Sequence, residues 1–557
     1  MNKILSSTLL AGLAATSAQA AIVQVTSDIT ADATWSSSNE YILTDIIYVK
    51  GGATLTIEAG TIIRGEPSTG IGNYDPGALV ITTAGRVNAQ GTASDPIIFT
   101  TAALDSDSDG QVDGYDFFVD DNGTPLDLDD DADRVTATQT VVSDGVLQNG
   151  PFLDADPKNN PLPPAIYVGT GETDAIATFV DADGDTVPNE YRQLWGGVII
   201  LGEAPMNADV TSAGGLNRQF IEGLPEGDDS AFGGFNPNDN SGVFSYVSIR
   251  HGGAVIGSAN EINGLTMGGV GFGTKIDHID VYCNADDGYE WFGGTVNTKY
   301  LTSIFNNDDA FDIDSGFTGL GQFWFALMNA DTVNGDKGGE HDGETGDGND
   351  ATLGTDFSIP KTYAVVYNAT YIGNPNKATE PFRIRDNWGG EYHNSIFADF
   401  GGSDGIELES DGEARFTAGE VIFSGNTFYA ADGSTTAADY GKAVTAGVET
   451  ILDATFSSTF ATTTMNFLAN PSFPSMNRRE VSVDASTGVN PVAPLAQATA
   501  NNGLGGAFGV QETATFFDDV AYKGAFDTTA ASTLWTTGWT ALNIRGILVD
   551  RGDGLSL

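Results

Sequence analysis

The sequence contains an internal repeat with a period of 22 residues. Residues 284–294 read NADDGYEWFGG, and residues 306–316 read NNDDAFDIDSG. The asparagine, the acid pair, the small residue, the aromatic residue, the next acid and the final glycine recur at the same offsets. A fixed period in the twenties is typical of solenoids, because a coil of this length cannot bury its own inner face and coils must stack.

A third, shorter copy of this motif lies at residues 403–410, which read SDGIELES. Coils stacked with the 22-residue period would place Asp309 over Asp287 and Asp312 over Glu290. Equivalent residues on adjacent parallel strands lie about 4.8 Å apart. We therefore expect columns of carboxylates along the axis of the solenoid.

Short segments near the amino terminus alternate apolar with polar residues and are separated by glycine. They are rich in β-branched residues, which favours strands, and no useful amphipathic helical window lies between them. These segments are residues 41–43, 46–49, 53–57, 61–64, 78–82, 86–89 and 96–100. The sequence predicts an all-β fold, a single-stranded right-handed parallel β-helix (solenoid) with long inserted loops and a C-terminal cap.

The first residues have the composition of a secretory signal. Lys3 is followed by an apolar run, and Ala18 and Ala20 provide the small residues of a cleavage site. We expect the mature protein to be extracellular or on the outer cell surface, with no membrane-spanning segment. The predicted segments are a signal peptide at 1–20, first coils at 21–104, acidic inserted loops at 105–192, a main β-helix at 193–500 with an acidic Gly-rich insertion at 331–356, and a cap at 501–557.

The charge balance restricts the partners of this chain. There are 76 acidic and 23 basic residues, and the formal net charge is −53. Such a surface repels nucleic acid and anionic membranes and attracts multivalent cations. The same charge also increases solubility, and the sequence leaves both roles open. The single cysteine, Cys283, excludes an internal disulfide and is interpreted as a small core residue.

Two inserted segments have the spacing of calcium-binding loops. The first places aspartates at positions one, three, five, nine and twelve, with Gly110 at position six for the turn. The second is a weaker copy, and solvated acidic loops are the alternative for both. The predicted Ca²⁺ ligands are Asp105, Asp107, Asp109, Asp113 and Asp116 in the first loop, and Asp181, Asp183 and Asp185 in the second.

The repeated acid motif has three interpretations. Stacked like charges repel and raise one another's pKa when they are partly buried. The acids can turn outward into water as a structural feature, bind a cation, or act in acid–base catalysis.

The repeat is similar to the central coils of the polygalacturonase family of inverting glycoside hydrolases. Asp287-Gly288 and Asp308-Asp309, with Ser315-Gly316, match that family's motifs. The resemblance implies that Asp308 or Asp309 is the general acid and that Asp287 and the other activate water. Arg383-Ile384-Arg385 resembles that family's substrate-binding Arg-Ile-Lys. The family's Gly-His-Gly coil has no counterpart near residues 329–331.

A second resemblance covers more of the chain. Residues 51–63, 195–202, 221–223 and 287–296 resemble the coils of secreted bacterial β-helix proteins of the pectin-lyase-like type, whose functions are largely unassigned. This resemblance implies the fold and leaves the activity open.

These features together predict a secreted or cell-surface, Ca²⁺-stabilised β-helix protein that binds polymeric carbohydrate or another surface partner. Arg383, Arg385, Trp291 and Trp388 are the predicted substrate-binding residues, the two indoles as stacking surfaces for sugar rings. The alternatives are a polysaccharide-degrading inverting hydrolase or lyase of the pectinase type, with Asp287, Asp308 and Asp309 as catalytic residues, and a structural or adhesive surface protein.

Overall fold

A computed structural model gives the fold of the chain. It describes residues 20–67, 76–103, 152–162, 178–180, 186–188, 191–207, 217–254, 262–330, 334–343, 360–402, 405–433, 442–445, 448–451, 466–476, 478, 489–492, 516–527 and 533–548. The described part is built almost entirely from short parallel strands. None of its helices is long and apolar enough to cross a lipid bilayer.

Each coil contributes strands to three faces, and the strands are numbered in chain order. Face 1 consists of β4 (Ile46–Val49), β7 (Ala78–Ile81), β12 (Val198–Leu201), β16 (Leu265–Gly268), β18 (Tyr289–Phe292), β20 (Phe311–Asp314), β22 (Glu340–His341), β25 (Arg383–Ile384), β28 (Glu407–Glu409) and β31 (Lys442–Thr445). At its end β32 (Val448–Ile451) pairs antiparallel with β31. The predicted parallel β-helix is confirmed.

Faces 2 and 3 follow face 1 in each coil. Face 2 contains β2 (Ala33–Trp35), β5 (Thr54–Ile57), β8 (Arg86–Gln90), β23 (Tyr363–Tyr367), β26 (Gly389–His393) and β29 (Val421–Ser424). Face 3 contains β1 (Ala21–Val25), β3 (Asn39–Leu43), β6 (Ile62–Gly65), β9 (Ile97–Thr101), β24 (Thr370–Ile372), β27 (Ile396–Phe400), β30 (Thr427–Ala430) and β33 (Phe467–Leu468). Four longer strands bend across both faces: β15 (Gly242–Arg250), β17 (Lys275–Tyr282), β19 (Thr298–Ile304) and β21 (Leu320–Leu327).

The remaining elements decorate this frame. Two small antiparallel pairs are β10 (Thr178–Val180) with β11 (Thr186–Pro188), and β13 (Gln219–Phe220) with β14 (Ala231–Phe232). Helix α1 (Ser410–Thr417) joins β28 to face 2, and helix α2 (Ala541–Ile544) lies near the carboxyl terminus.

The register of the strands follows the sequence repeat. Glu290 pairs with Asp312 between β18 and β20, and Ile279 pairs with Leu301 between β17 and β19. Both pairs are 22 residues apart, as the repeat predicts. Alternation along β18 turns Tyr289 and Trp291 into the solenoid and Glu290 and Phe292 away from it.

The interior of the middle coils is a column of stacked aromatic rings. Phe311 stacks on Tyr289, Trp324 and Tyr371 with ring centroids 5.3, 4.8 and 5.2 Å apart. Offset stacking of this kind adds about 0.5–1.5 kcal/mol per pair to the gain from burial. This column makes the middle coils a rigid support for the side chains that point outward from face 1.

Parts of the predicted insertions belong to the packed structure. Residues 152–162 lie against the coils, where Asp154 accepts a hydrogen bond from Thr100 at 2.7 Å and Leu153 joins a buried cluster. Residues 334–343 include β22, so face 1 continues through the start of the segment predicted as an acidic insertion. Both stretches contact the coils, which corrects the expectation that they only project as loops.

The described carboxyl-terminal residues lie along the side of the solenoid. Ala525, Phe526, Leu534, Leu542 and neighbours form a buried cluster with outward residues of β17, β19, β21 and β24. The Ala541 N–H at the start of α2 donates to Asp280 Oδ2 at 2.9 Å, where the helix dipole favours a carboxylate. For residues 516–527 and 533–548, the expectation of a cap over the last coil is therefore corrected, because their apolar side chains pack against outward residues of the middle coils.

Cys283 is buried in this lateral cluster. Its prediction as a small core residue is confirmed.

Candidate functional site

The outward residues of face 1 change from apolar to charged along the solenoid. On β4, β7 and β12 they are apolar and lie beneath a buried cluster that includes Met206, Ile221 and Phe232. From Glu290 of β18 to Glu409 of β28 they are charged, apart from Phe292, and mostly part-exposed. We call this surface the acidic face, and it comprises Glu290, Asp312, Asp314, Glu340, Asp342, Arg383, Arg385, Glu407 and Glu409.

The turn before each face 1 strand carries a second column of polar side chains. Asn263, Asp287 and Asp309 occupy equivalent positions, because the Gly264 N–H donates to Asp287 O at 3.0 Å and the Gly288 N–H donates to Asp309 O at 2.9 Å. Each of these residues stands three positions before an outward residue of the strand that follows. The two columns therefore run side by side.

Two of the predicted catalytic carboxylates bind backbone groups of the next coil. Asp287 Oδ1 accepts a hydrogen bond from the Asp309 N–H at 2.8 Å. Asp309 Oδ1 accepts one from the Lys337 N–H. One oxygen of each side chain thus stabilises the stacking of coils, while the other oxygen is left for further interactions.

The carboxylates form three overlapping groups in which oxygen atoms lie within 4.8 Å of one another. The groups are Asp286, Asp287 and Asp308; Asp287, Glu290 and Asp312; and Asp308, Asp309 and Asp336. The structure therefore brings the three predicted catalytic residues together, with exposed Asp308 sharing one group with Asp287 and another with Asp309.

Burial dominates the electrostatics of this cluster. It raises the pKa of Asp287, Glu290, Asp309 and Asp312 well above the ordinary range, and neighbouring carboxylates raise each pKa further. Burial and the charge of Asp342 also raise the pKa of Asp314 to about 8. Adjacent buried carboxylates of this kind resist ionising together.

Arg383 and Arg385 lie at the far end of the acidic face. Arg383 pairs with Glu340 at 3.0 Å and with Glu409 at 2.5 Å. Arg385 pairs with Asp342 at 2.5 Å and with Glu340 at 3.3 Å. The two guanidinium groups on β25 join carboxylates of the coils on either side, on β22 and β28, and remain partly exposed. The predicted substrate-binding arginines therefore lie on the same surface as the acids.

Trp291 and Trp388 do not have the predicted position. Both side chains are fully buried in the main core. Trp291 stacks on Trp324 with centroids 5.0 Å apart, and Trp388 stacks on His341 at 4.8 Å. A sugar ring cannot reach either indole, and the prediction of a stacking platform is corrected on this point. The alternation of β18 places Trp291 on the same side as the buried Tyr289.

The predicted calcium ligands of both acidic loops, from Asp105 to Asp116 and from Asp181 to Asp185, lie outside the described residues. Calcium binding by these loops stays a prediction from their sequence spacing.

The site also contains residues that the sequence reasoning missed. Asp314, Glu340 and Asp342 extend the acidic face, and Asn263 begins the column in the turns. Asp314 could have been predicted, because it stands two residues after Asp312 and strand alternation places both on the same side. Asn263 was not, because 24 residues separate it from Asp287 and its own coil departs from the repeat.

Comparison with known proteins agrees with this architecture. The family model described as pectate-lyase-like β-helix domain matches residues 27–114 and 185–469, which is more than half of the chain. A search of the curated proteins and a search of the solved structures each give no significant match. The matched residues include every described strand of face 1 from β4 to β31, and the name of the family suggests a function related to carbohydrate. The chain belongs to the family of pectate-lyase-like β-helix domains.

Proposed function

We propose that this protein binds a polymeric carbohydrate along the acidic face, outside the cell, in a fold that Ca²⁺ stabilises. The observation that carries the proposal is the acidic face itself, where part-exposed carboxylates lie beside two part-exposed guanidinium groups. Carboxylates accept hydrogen bonds from sugar hydroxyls, and guanidinium groups donate to sugar oxygens.

The shape of the surface favours a polymer over a single sugar. The acidic face crosses five successive strands, β18, β20, β22, β25 and β28, and at about 4.8 Å per coil it extends over roughly 19 Å. Similar groups recur along this length, which suits a ligand with repeated hydroxyl groups. The family membership supports a carbohydrate ligand.

The charge favours a neutral polymer. The net charge of −53 repels polyanions, and Arg383 and Arg385 are already paired with acids. Export and calcium stabilisation belong to the proposal on sequence grounds alone, through the signal at residues 1–20 and the two acidic loops.

The proposal is tested by affinity electrophoresis in gels that contain neutral or acidic polysaccharides. We expect a neutral polymer to retard the wild-type protein. Arg383→Gln combined with Arg385→Gln should reduce the retardation, because it removes the donors of the acidic face. Arg86→Gln is the matched control, since Arg86 is exposed on face 2. Equal retardation of the double variant and wild type, or no retardation by any polymer, would refute the proposal, and the second outcome favours a structural or adhesive protein.

Hydrolysis is the second candidate function. Its support is the convergence of Asp287, Asp308 and Asp309 together with the raised pKa of the buried pair Asp287 and Asp309. Against it, oxygens of Asp308 lie within 4.8 Å of both partners, whereas inverting hydrolysis uses carboxyl groups about 6.5–9.5 Å apart to admit water. We expect no release of reducing ends from the polymers. Release that Asp309→Asn abolishes, with the fold intact, would instead establish the hydrolase.

A further inference from the structure

We infer that two copies of this chain associate end to end through their β1 strands, which pair antiparallel about a two-fold axis that passes through Val23. The interface lies at the amino-terminal end of the solenoid, and its formation does not depend on carbohydrate binding. In the mature chain, which the signal sequence predicts to begin at Ala21, β1 is the first strand of the protein.

The outer edge of β1 is open. Within the described part of the chain, β1 pairs with β3 alone, in parallel. The Thr44 N–H donates to the Val25 carbonyl at 3.2 Å, so the backbone groups of Val25 point toward β3. Because these groups alternate in direction along a strand, those of Val23 also point toward β3, and those of Ile22 and Gln24 point to the open edge. An edge of this kind is a template for pairing with another strand.

The same strand exposes apolar side chains. Val23 pairs with Tyr41 of the buried core, so its side chain points into the solenoid, yet it is 36 % exposed because no coil lies above it. Ile22 points outward and is 44 % exposed. They are two of the four exposed large apolar side chains among the described residues, and they are adjacent on one strand. The terminal coil of a solenoid needs a polar or covered end, and here the end is apolar.

A second copy fits this end because the nearby charges are turned away from it. β1 has no charged residue, and the next two acids along the chain bind groups in the second coil. Asp28 pairs with Lys50 at 2.7 Å and accepts a hydrogen bond from the Tyr48 N–H at 3.1 Å. Asp32 accepts a hydrogen bond from the Thr54 N–H at 2.9 Å. The net charge of −53 makes copies repel each other over most of their surface, whereas two of these ends can meet without opposing carboxylates.

The sequence of β1 is self-complementary in antiparallel register. With the axis at Val23, Ile22 of one copy lies opposite Gln24 of the other, and their open N–H and C=O groups bond to each other. The same register places Val23 opposite Val23 and Ala21 opposite Val25, and all of these side chains face inward. The apolar cores of the two solenoids then become continuous across an isologous interface, as a two-fold axis requires.

Sedimentation equilibrium of the mature chain, in about 0.15 M salt to screen the distant charges, tests the association. A monomer–dimer equilibrium without larger species is expected. Val23→Lys should raise the dimer dissociation constant at least about a hundredfold, because two lysines would meet on the axis. Phe235→Lys is the matched control, since it adds the same charge at a more exposed apolar residue outside β1, and it should leave the constant unchanged.

Cysteine substitutions test the register. Residues that face each other in a non-hydrogen-bonded antiparallel pair have Cα atoms about 4.5 Å apart, which a disulfide can span. Val23→Cys should therefore form an intermolecular disulfide on mild oxidation, whereas Ile22→Cys should not, although Ile22 is the more exposed residue. The buried Cys283 is common to both variants.

Gln24→Pro removes the N–H that faces the open edge and leaves the bonds between β1 and β3 in place. It should weaken the dimer at least about tenfold, and it takes the place of Val23→Lys if far-UV circular dichroism shows that variant to be misfolded. A chain that stays monomeric at every concentration would leave the edge to a different partner and overturn the inference. Species larger than a dimer, equal weakening by Phe235→Lys and Val23→Lys, or equal cross-linking of Ile22→Cys and Val23→Cys would also overturn it.

Discussion

Neutralising Asp342 should stabilise the protein at alkaline pH, although Asp342 is in an ion pair. The side chain is 8 % exposed, and burial raises its pKa to about 6 from an ordinary 3.8, even though Arg385 lies 2.5 Å away and opposes the shift. The folded protein therefore binds a proton more tightly than the unfolded chain. Stability from this group is fully present below about pH 4 and is lost as the pH rises through about 6.

The size of this effect follows from the two pKa values. A difference of about 2 in pKa corresponds to about 3 kcal/mol in the free energy of unfolding. Asn resembles the protonated acid and keeps an Oδ1 that accepts the hydrogen bond from Arg385 Nε. Asp342→Asn should therefore match wild type near pH 4 and exceed its free energy of unfolding by up to about 3 kcal/mol at pH 8.

Urea unfolding followed by tryptophan fluorescence, in EDTA and at pH values from 4 to 8, measures this difference. Asp518→Asn is the control, because it makes the same change of charge at a carboxylate that is 54 % exposed and pairs with Lys299. Its difference from wild type should stay below about 1 kcal/mol at every pH. If Asp342→Asn is less stable than wild type at pH 8, the pair with Arg385 outweighs burial and the reasoning fails.

Three further predictions concern the loops, the core and the carboxyl-terminal segment. Excess EDTA should lower the melting temperature of the wild-type protein, because it removes bound Ca²⁺. The double variant Asp107→Ala, Asp109→Ala should lose the share of this decrease that comes from the first loop. An unchanged wild-type melting temperature in EDTA would contradict the prediction. Phe311→Ala should cost about 3–5 kcal/mol in urea unfolding, whereas Phe235→Ala, at a side chain 69 % exposed, should cost less than about 0.5 kcal/mol. Trp539→Ala should increase hydrogen exchange in the β15 and β17 strands that its buried ring covers, and unchanged exchange there would show that the segment does not protect them.

The repeat was sufficient to predict the fold and the alignment of the acids. Side chains that recur every 22 residues must form columns once coils stack, so the pairing of Glu290 with Asp312 followed from counting alone. The roles of the acids did not follow. The hydrogen bond from the Asp309 N–H to Asp287 depends on the conformation of a turn, which composition and period do not specify.

Two predictions failed for different physical reasons. The tryptophans were assigned to a binding surface by their chemistry, although the alternation of β18 already indicated that Trp291 points inward with Tyr289. The carboxyl-terminal segment has no period, and its position depends on contacts with coils more than 150 residues earlier, such as the hydrogen bond from Ala541 to Asp280. Local sequence carries no signal for a contact of that kind.

Four aromatic side chains form a stacked column on the lateral surface of the solenoid. Tyr246, His278, Tyr300 and Phe323 occupy the bend between faces 2 and 3 with φ values of 51 to 60°, a region that bulky residues rarely adopt. Their rings stack with centroids 4.1, 4.3 and 4.9 Å apart, and this stacking offsets a backbone cost of roughly 1–2 kcal/mol per residue.

No local propensity predicts an aromatic residue in that conformation. His278 and Tyr300 are nevertheless 22 residues apart, the same offset that separates Glu290 from Asp312. The period thus predicts which side chains meet in the two coils that keep it, whereas Tyr246 and His278 are 32 residues apart and Tyr300 and Phe323 are 23 apart. What the period cannot predict is the interaction that holds a column together, which is ring stacking on the lateral surface and includes hydrogen bonds from carboxylates to backbone N–H groups beside face 1.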